Sequence, residues 1–134
     1  MQREIILTHD PIDEIALVRA RAGSTVDGAV ITFLGVVRDR EDGAPIRGLL
    51  YTSHETMARH QFERLMHALP ARWPITSVRL IHRLGPVLIG EPSLWIEVTA
   101  PHRGEAFAAC QWLIDEMKRV VPIWKATMAV EPKV

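Results

Sequence analysis

Cysteine is almost missing from this chain, with one residue, Cys110, in 134. A lone thiol has no partner for an internal disulfide, so a disulfide-stapled scaffold is excluded and a reducing compartment fits. Lysine is nearly as scarce: Lys118, Lys125 and Lys133 stand against 13 arginines. Net charge is also lacking, at a formal value of zero. No overall field therefore draws the protein toward nucleic acid or a membrane surface. Long apolar runs are absent too. The longest, Gly28 to Val37, is broken by Thr32 and is too short to span a bilayer. The opening MQREIILTHD carries charge and no apolar stretch of the signal-peptide kind. A cytoplasmic protein is expected.

Several chemical motifs are missing as well. There is no Cys-x-x-Cys, His-Glu-x-x-His, Gly-x-Gly-x-x-Gly or P-loop pattern, so metal and nucleotide sites of those types have no support. His60 and His67 lie two helical turns apart, too far to chelate closely. No metal site is expected. The four tryptophans, at positions 73, 95, 112 and 124, lack the basic interleaving of a single-strand nucleic-acid platform.

What is present is an ordinary globular balance, 48% apolar and 24% charged residues. A chain of 134 residues buries a sizeable core and suits one domain over 1–134. Arg3 to Thr8 reads as a strand. Asp10-Pro11 supplies a helix cap, Ile12, Ile15, Ala16 and Ala20 follow at helical spacing, and Gly23 closes the helix. Gly28 to Arg38 is β-rich and apolar on both faces, as a central strand would be. Asp39 to Pro45 is a polar loop with a turn at Asp42-Gly43, and Arg47 to Ser53 is a strand.

A helix from Glu55 to about Ala71 keeps Met57, Ala58, Phe62, Leu65, Met66 and Leu69 on one face. Ser77 to Leu84, Val87 to Ile89 and Ser93 to Ala100 read as strands. A helix led in by Pro101-His102-Arg103-Gly104 runs to about Val120, with Phe107, Cys110, Leu113, Ile114 and Met117 inward. Ile123 to Val130 is the last strand. The order β-α-β-β-α-β-β-β-α-β defines an α+β fold with a mostly antiparallel sheet and three main helices.

Candidate chemistry gathers at a few positions. Lysine, unlike arginine, can give up its proton when buried and serve as a base or nucleophile. An arginine-rich composition also follows from a GC-rich genome, in which case the lysine positions are accidental. Lys118 falls in the last turn of the third helix, where the dipole favours any cation. Lys125 follows the rigid apolar Pro122-Ile123-Trp124, and contact with Trp124 would desolvate it. Arg38 ends a long strand, where a solvated charge is common and functional residues are too. Arg40 and Arg47 flank the same loop. His102-Arg103 precedes a helix, where the dipole favours anions and a cationic pair calls for a negative ligand. His82 alternates with core residues and reads as a buried histidine. Cys110, on the inward helical face, reads as core.

Several segments together resemble the large, catalytic subunit of molybdopterin synthase. They are Gly28-Ala-Val-Ile-Thr-Phe-Leu-Gly-Val-Val-Arg38, Met57-Ala58, Ile81-His-Arg-Leu-Gly85 with Ile89-Gly-Glu91, Val98-Thr-Ala-Pro-His-Arg103, and Lys118 with Pro122-Ile-Trp-Lys125. Their order and spacing follow that family along nearly the whole chain.

The resemblance implies an α/β hammerhead-type fold and a homodimer within a heterotetramer. It also implies a small ubiquitin-like sulfur-carrier subunit, whose C-terminal Gly-Gly thiocarboxylate enters the active site. The implied substrate is anionic cyclic pyranopterin monophosphate, converted by two sulfur transfers to the dithiolene of molybdopterin. By the same resemblance Lys118 and Lys125 are catalytic. Arg38, His102 and Arg103 hold the substrate phosphate, the last two reaching in from the neighbouring subunit. Phe33 and Met117 line the site. The carrier delivers the sulfur, so no metal or organic cofactor is expected.

The chain departs from the family after Lys125, where Ala126-Thr127 replaces a basic residue and a glutamate and the tail is short. It also has Tyr51-Thr52-Ser53-His54 where Tyr-Glu-x-Tyr is frequent. The departures leave two alternatives: a non-catalytic carrier-binding module of the same fold, or a sulfurtransferase acting on another acceptor.

Overall fold

The computed structural model describes residues 1–130; Lys133, with the rest of 131–134, lies outside the described residues. In chain order the elements are β1 (Gln2–Thr8), α1 (Glu14–Arg19), β2 (Ala29–Val36), β3 (Arg40–Glu41), β4 (Ala44–Ser53), α2 (Glu55–Arg72), β5 (Ser77–Arg83), β6 (Gly85–Leu88), β7 (Pro92–Ala100), α3 (Arg103–Val120) and β8 (Ile123–Ala129). The fold is α+β, as the sequence predicts. One sheet has the order β1-β5-β7-β2, and a second gathers β3, β6 and β8 around β4. Only the β1–β5 pairing is parallel.

The core lies between the first sheet and the two long helices. Alternate residues of β5 and β7 (Val78, Leu80, Leu94, Ile96, Val98, Ala100) present one apolar face. Against it pack Ala58, Phe62, Leu65, Met66 and Leu69 of α2, and Ala106, Ala109, Cys110, Leu113 and Met117 of α3. Both stripes recur at three- and four-residue intervals, which keeps them on one side of a helix. Two residues assigned to these stripes are not in the core. Met57 is exposed, and Phe107 is 58% exposed. Met57 lies in the first turn of α2, and Phe107 directly follows the buried Ala106, about 100° around the helix.

Three local expectations need correction. The cap of α1 is Asp13, whose side chain accepts from the Ala16 N–H at 3.1 Å, and the helix closes at Ala20. Gly23 does not adopt the left-handed conformation that closes helices. With fewer than two turns and no buried residue, α1 takes its support from neighbouring contacts. Second, the polar loop folds back on itself as the β3–β4 hairpin. Asp42 (φ 51°) and Gly43 (φ 78°) make the left-handed turn that a two-residue hairpin needs. Third, β2 is an edge strand rather than a central one. Ile31 and Phe33 pack inward, while Val30 and Val36 are exposed.

The outer face of the first sheet carries a buried ion cluster. Glu97, only 2% exposed, takes Arg21 Nε at 2.6 Å and Arg79 Nε at 2.9 Å. Arg79 also donates to the Leu17 carbonyl at 2.8 Å and lies 4.9 Å from the Trp95 ring centroid. This cluster fastens α1 and the segment after it to the sheet.

Candidate active site

The third helix delivers Met117 and Lys118 in its last turn. The chain then reverses at Val121-Pro122. The Pro122 carbonyl accepts both the His54 N–H at 3.3 Å and the Ser53 hydroxyl at 3.2 Å, which pins the reversal to the start of α2. β8 returns antiparallel to β4 and sets Lys125 opposite Tyr51. From the other side, β2 supplies Phe33, then shifts register between Gly35 and Val36, and Arg38 follows the strand end.

These paths converge. Phe33, Arg38, Met117, Lys118 and Lys125 all line one cavity of about 520 Å³, with Glu41, Tyr51, His82 and Ser93 beside them. Side chains separated by up to 92 positions in sequence (125 − 33) thus meet in one place. His102 and Arg103 are not among the lining residues. They stand exposed at the opposite end of α3, sixteen and fifteen residues from Lys118, or about 22–24 Å along the helix. His102 caps α3 without a side-chain cap bond, and its Nδ1 is 3.7 Å from Glu105. Arg40 donates to the Gly43 carbonyl at 3.2 Å, and neither Arg40 nor Arg47 lines the cavity.

The cavity is electropositive, with three cations, Arg38, Lys118 and Lys125, set against one carboxylate, Glu41. Lys125 Nζ is 2.9 Å from Glu41 Oε1. That hydrogen bond and the ammonium charge hold the Glu41 carboxyl below its usual range, with Arg38 adding to the effect. Lys125 is not shielded by Trp124, as its side chain is 52% exposed and Trp124 is exposed as well. Successive residues of a strand point to opposite faces, so neighbours in β8 cannot cover one another. At the floor, His82 is buried, and burial pulls its pKa below the ordinary histidine value, the bond to the Arg83 carbonyl working weakly the other way.

Glu41, Tyr51, His82 and Ser93 are the polar lining residues that sequence reasoning missed as site residues. His82 alone left a signal, through its alternation with Val78 and Leu80. No group of three or more His, Cys, Asp or Glu side chains among the described residues is placed to hold a metal. No helix among them is long and apolar enough to cross a membrane.

A cationic cavity of this size, with apolar, hydroxyl and imidazole side chains deeper in, suits an anionic small ligand. Comparison with known proteins gives the family. The model of the MoaE protein matches residues 7–120, and the chain belongs to that family. Lys118 lies within the matched stretch and Lys125 just beyond it.

The molybdopterin synthase catalytic subunit of Pyrococcus abyssi is 38% identical over 112 residues, 84% of this chain and 76% of the relative. Among solved structures, molybdopterin synthase from Staphylococcus aureus superposes with a TM-score of 0.83 at 29% identity, covering 96% of this chain and 92% of that one. A complex of subunits 1 and 2 of molybdopterin-converting factor from Helicobacter pylori 26695 gives a TM-score of 0.74 at 26% identity, covering 98% of this chain and 91% of that one.

Proposed function

We propose that this chain is a molybdopterin synthase catalytic subunit, acting as one domain over residues 1–134 in the cytoplasm. It transfers sulfur from the C-terminal thiocarboxylate of a small ubiquitin-like carrier subunit to cyclic pyranopterin monophosphate. The observation that carries this reading is the convergence of Lys118, Lys125 and Arg38 on one cavity in a chain of this family. Support for the carrier comes from the H. pylori neighbour, a complex of two subunits of molybdopterin-converting factor. The single buried Cys110 fits a reducing compartment.

The chemistry asks for the charges that line the cavity. Phosphate and thiocarboxylate are both anions and repel each other. Fixed cations between them offset that repulsion and stabilise charge that builds during attack. Arg38 offers a planar fork to the phosphate. Lys118 and Lys125 stand where the carrier terminus and the pterin side chain meet, and move protons at the oxygens that leave. In each transfer sulfur bonds to a side-chain carbon of the pterin as a C–O bond at that carbon breaks, and water then cleaves the carrier's C–S bond, so that the carrier terminus leaves as a carboxylate and the sulfur stays on the pterin. Two transfers complete the dithiolene and open the cyclic phosphate.

The same reading makes the working unit a homodimer within a heterotetramer. A separation of about 22–24 Å, set by about 1.5 Å of rise per residue, keeps His102 and Arg103 out of their own chain's cavity. They serve the cavity of the neighbouring subunit, where their positive charge completes the phosphate site. The exposed Val30 and Val36 of β2 give an apolar strip for such an interface.

The test mixes the protein with thiocarboxylated carrier and cyclic pyranopterin monophosphate and measures molybdopterin. Product formation is expected. Carrier binding without product would instead identify a non-catalytic module. Sulfur loss from the carrier to a different acceptor would identify another sulfurtransferase.

A further inference from the structure

The rim and the floor of the cavity offer opposite hydrogen-bonding chemistry. At the rim, Arg38, Lys118 and Lys125 are exposed and can only donate. The floor contains His82, 5% exposed, with Ser93 buried and Tyr51 half-buried.

The protons of the floor are already committed. His82 Nδ1 is 2.8 Å from the Arg83 carbonyl oxygen. A carbonyl has no proton to give, so Nδ1 carries the hydrogen and donates it. Burial disfavours a second proton on the ring, which leaves Nε2 with a lone pair. Among the described residues Nε2 has no protein partner, and it is not among the buried polar atoms cut off from solvent. His82 is itself one of the residues that line the cavity. Beside it, the Tyr51 ring stands edge-on to the imidazole at 5.1 Å. Tyr51 donates its hydroxyl proton to Ser93 Oγ at 3.4 Å, and Ser93 donates onward to the Gly35 carbonyl at 3.4 Å. Both hydroxyl protons are therefore directed to protein oxygens. Of these three side chains, His82 Nε2 and the Tyr51 oxygen keep lone pairs, and each proton has a protein acceptor.

We propose that His82 Nε2, together with the Tyr51 oxygen of the same cavity lining, is the acceptor that reads an N–H donor edge of the heterocyclic substrate and fixes the ring's orientation while its phosphate stays at the cationic rim. This rests on the function proposed above and adds a specificity-determining contact to it. A ligand suited to the whole cavity carries an anionic group at one end and ring N–H groups at the other. A phosphate compound without such donors leaves the lone pairs of the floor unmet.

The test has two arms. In steady-state assays, His82→Leu raises the KM for the cyclic pterin about tenfold, the size of one net hydrogen bond. It leaves carrier affinity unchanged, and His82→Gln, whose amide oxygen can reach a similar place, recovers most of the loss. A merely structural role would lower the melting temperature and alter carrier binding together with KM. The second arm needs no variant and no turnover. Wild-type protein with ¹⁵N-labelled histidine is titrated with cyclic pterin in the absence of carrier. The Nε2 signal of His82 starts as that of an unprotonated nitrogen and shifts as an N–H donor binds. An unchanged KM in a folded His82→Leu, or an Nε2 signal indifferent to saturating pterin, overturns the inference. Absence of product in the wild-type reconstitution would count against the proposed function instead, and the titration remains readable in that case.

Discussion

Cys110 sits in the core with its thiol pushed up to about 11 by burial. A thiol in that state is almost wholly protonated at pH 8 and shielded from reagents. Aromatic disulfide reagents are therefore expected to leave it unlabelled in the native protein and to modify it at once in denaturant. Rapid native labelling would contradict the packing of α3. The inward position of Cys110 was readable because Leu113 and Met117 follow it at helical spacing. Glu41 was not readable. It reaches Lys125 across 84 positions, from a polar hairpin whose residues look alike in sequence. The expected cover of Lys125 by Trp124 failed for a purely local reason, since strand neighbours face opposite ways.

Elements with a long periodic pattern were legible, and short or edge elements were not. The buried stripes of α2 and α3 follow directly from their spacing. For β2, an apolar pattern on both faces records what must be covered and does not say by what. Its edge place depends on β7 pairing between it and β5, and no property of residues 28–38 alone encodes that.

The hold on α1 comes from Glu97, whose burial alone would raise its pKa. The bonds from Arg79 and Arg21 outweigh burial, and the net shift is downward. A carboxyl whose folded pKa lies below its unfolded value adds stability that is present above the unfolded value of 4.5 and lost as pH falls through the folded one. His82 is also depressed, so its contribution is present above 6.5 and is lost as pH falls below that toward its folded pKa. Denaturant melts from neutral to acid pH are expected to lose stability in two windows. Glu97→Gln shrinks the lower one and costs about 3 kcal/mol at neutral pH, because two arginines lose their charge partner.

Gly48 offers a second element-level check. A Cβ there would meet the Val87 carbonyl oxygen at 2.5 Å and Leu88 Cα at 3.1 Å, both backbone atoms. Gly48→Ala must push β6 away from β4 and is expected to cost about 1–3 kcal/mol in the same melts.

At the scale of the whole molecule, the separation of the two cation groups along α3 decides how many chains make a site. If His102 and Arg103 serve the neighbour, Lys118→Ala and Arg103→Ala disable different halves of each composite site. A mixed dimer of the two then holds one site with both defects and one with none. Random reassortment of equal amounts is expected to restore about a quarter of the wild-type rate, the share fixed by two-fold symmetry. No recovery after verified exchange would place each site within one chain. The sequence brought the family's five segments into register, and with them the seven candidate residues. The resemblance also set His102 and Arg103 apart as the neighbour's, but the distance that keeps them from their own chain's cavity follows from where α3 starts and ends in space.

The central claim is that the Lys118–Lys125–Arg38 cavity is where sulfur changes hands. Single-turnover reaction of Lys118→Ala with thiocarboxylated carrier and cyclic pyranopterin monophosphate tests it most directly, with carrier binding and melting temperature measured on the same preparation. An intact fold, retained carrier binding and almost no molybdopterin are expected. Product at the wild-type rate from that variant would contradict the claim.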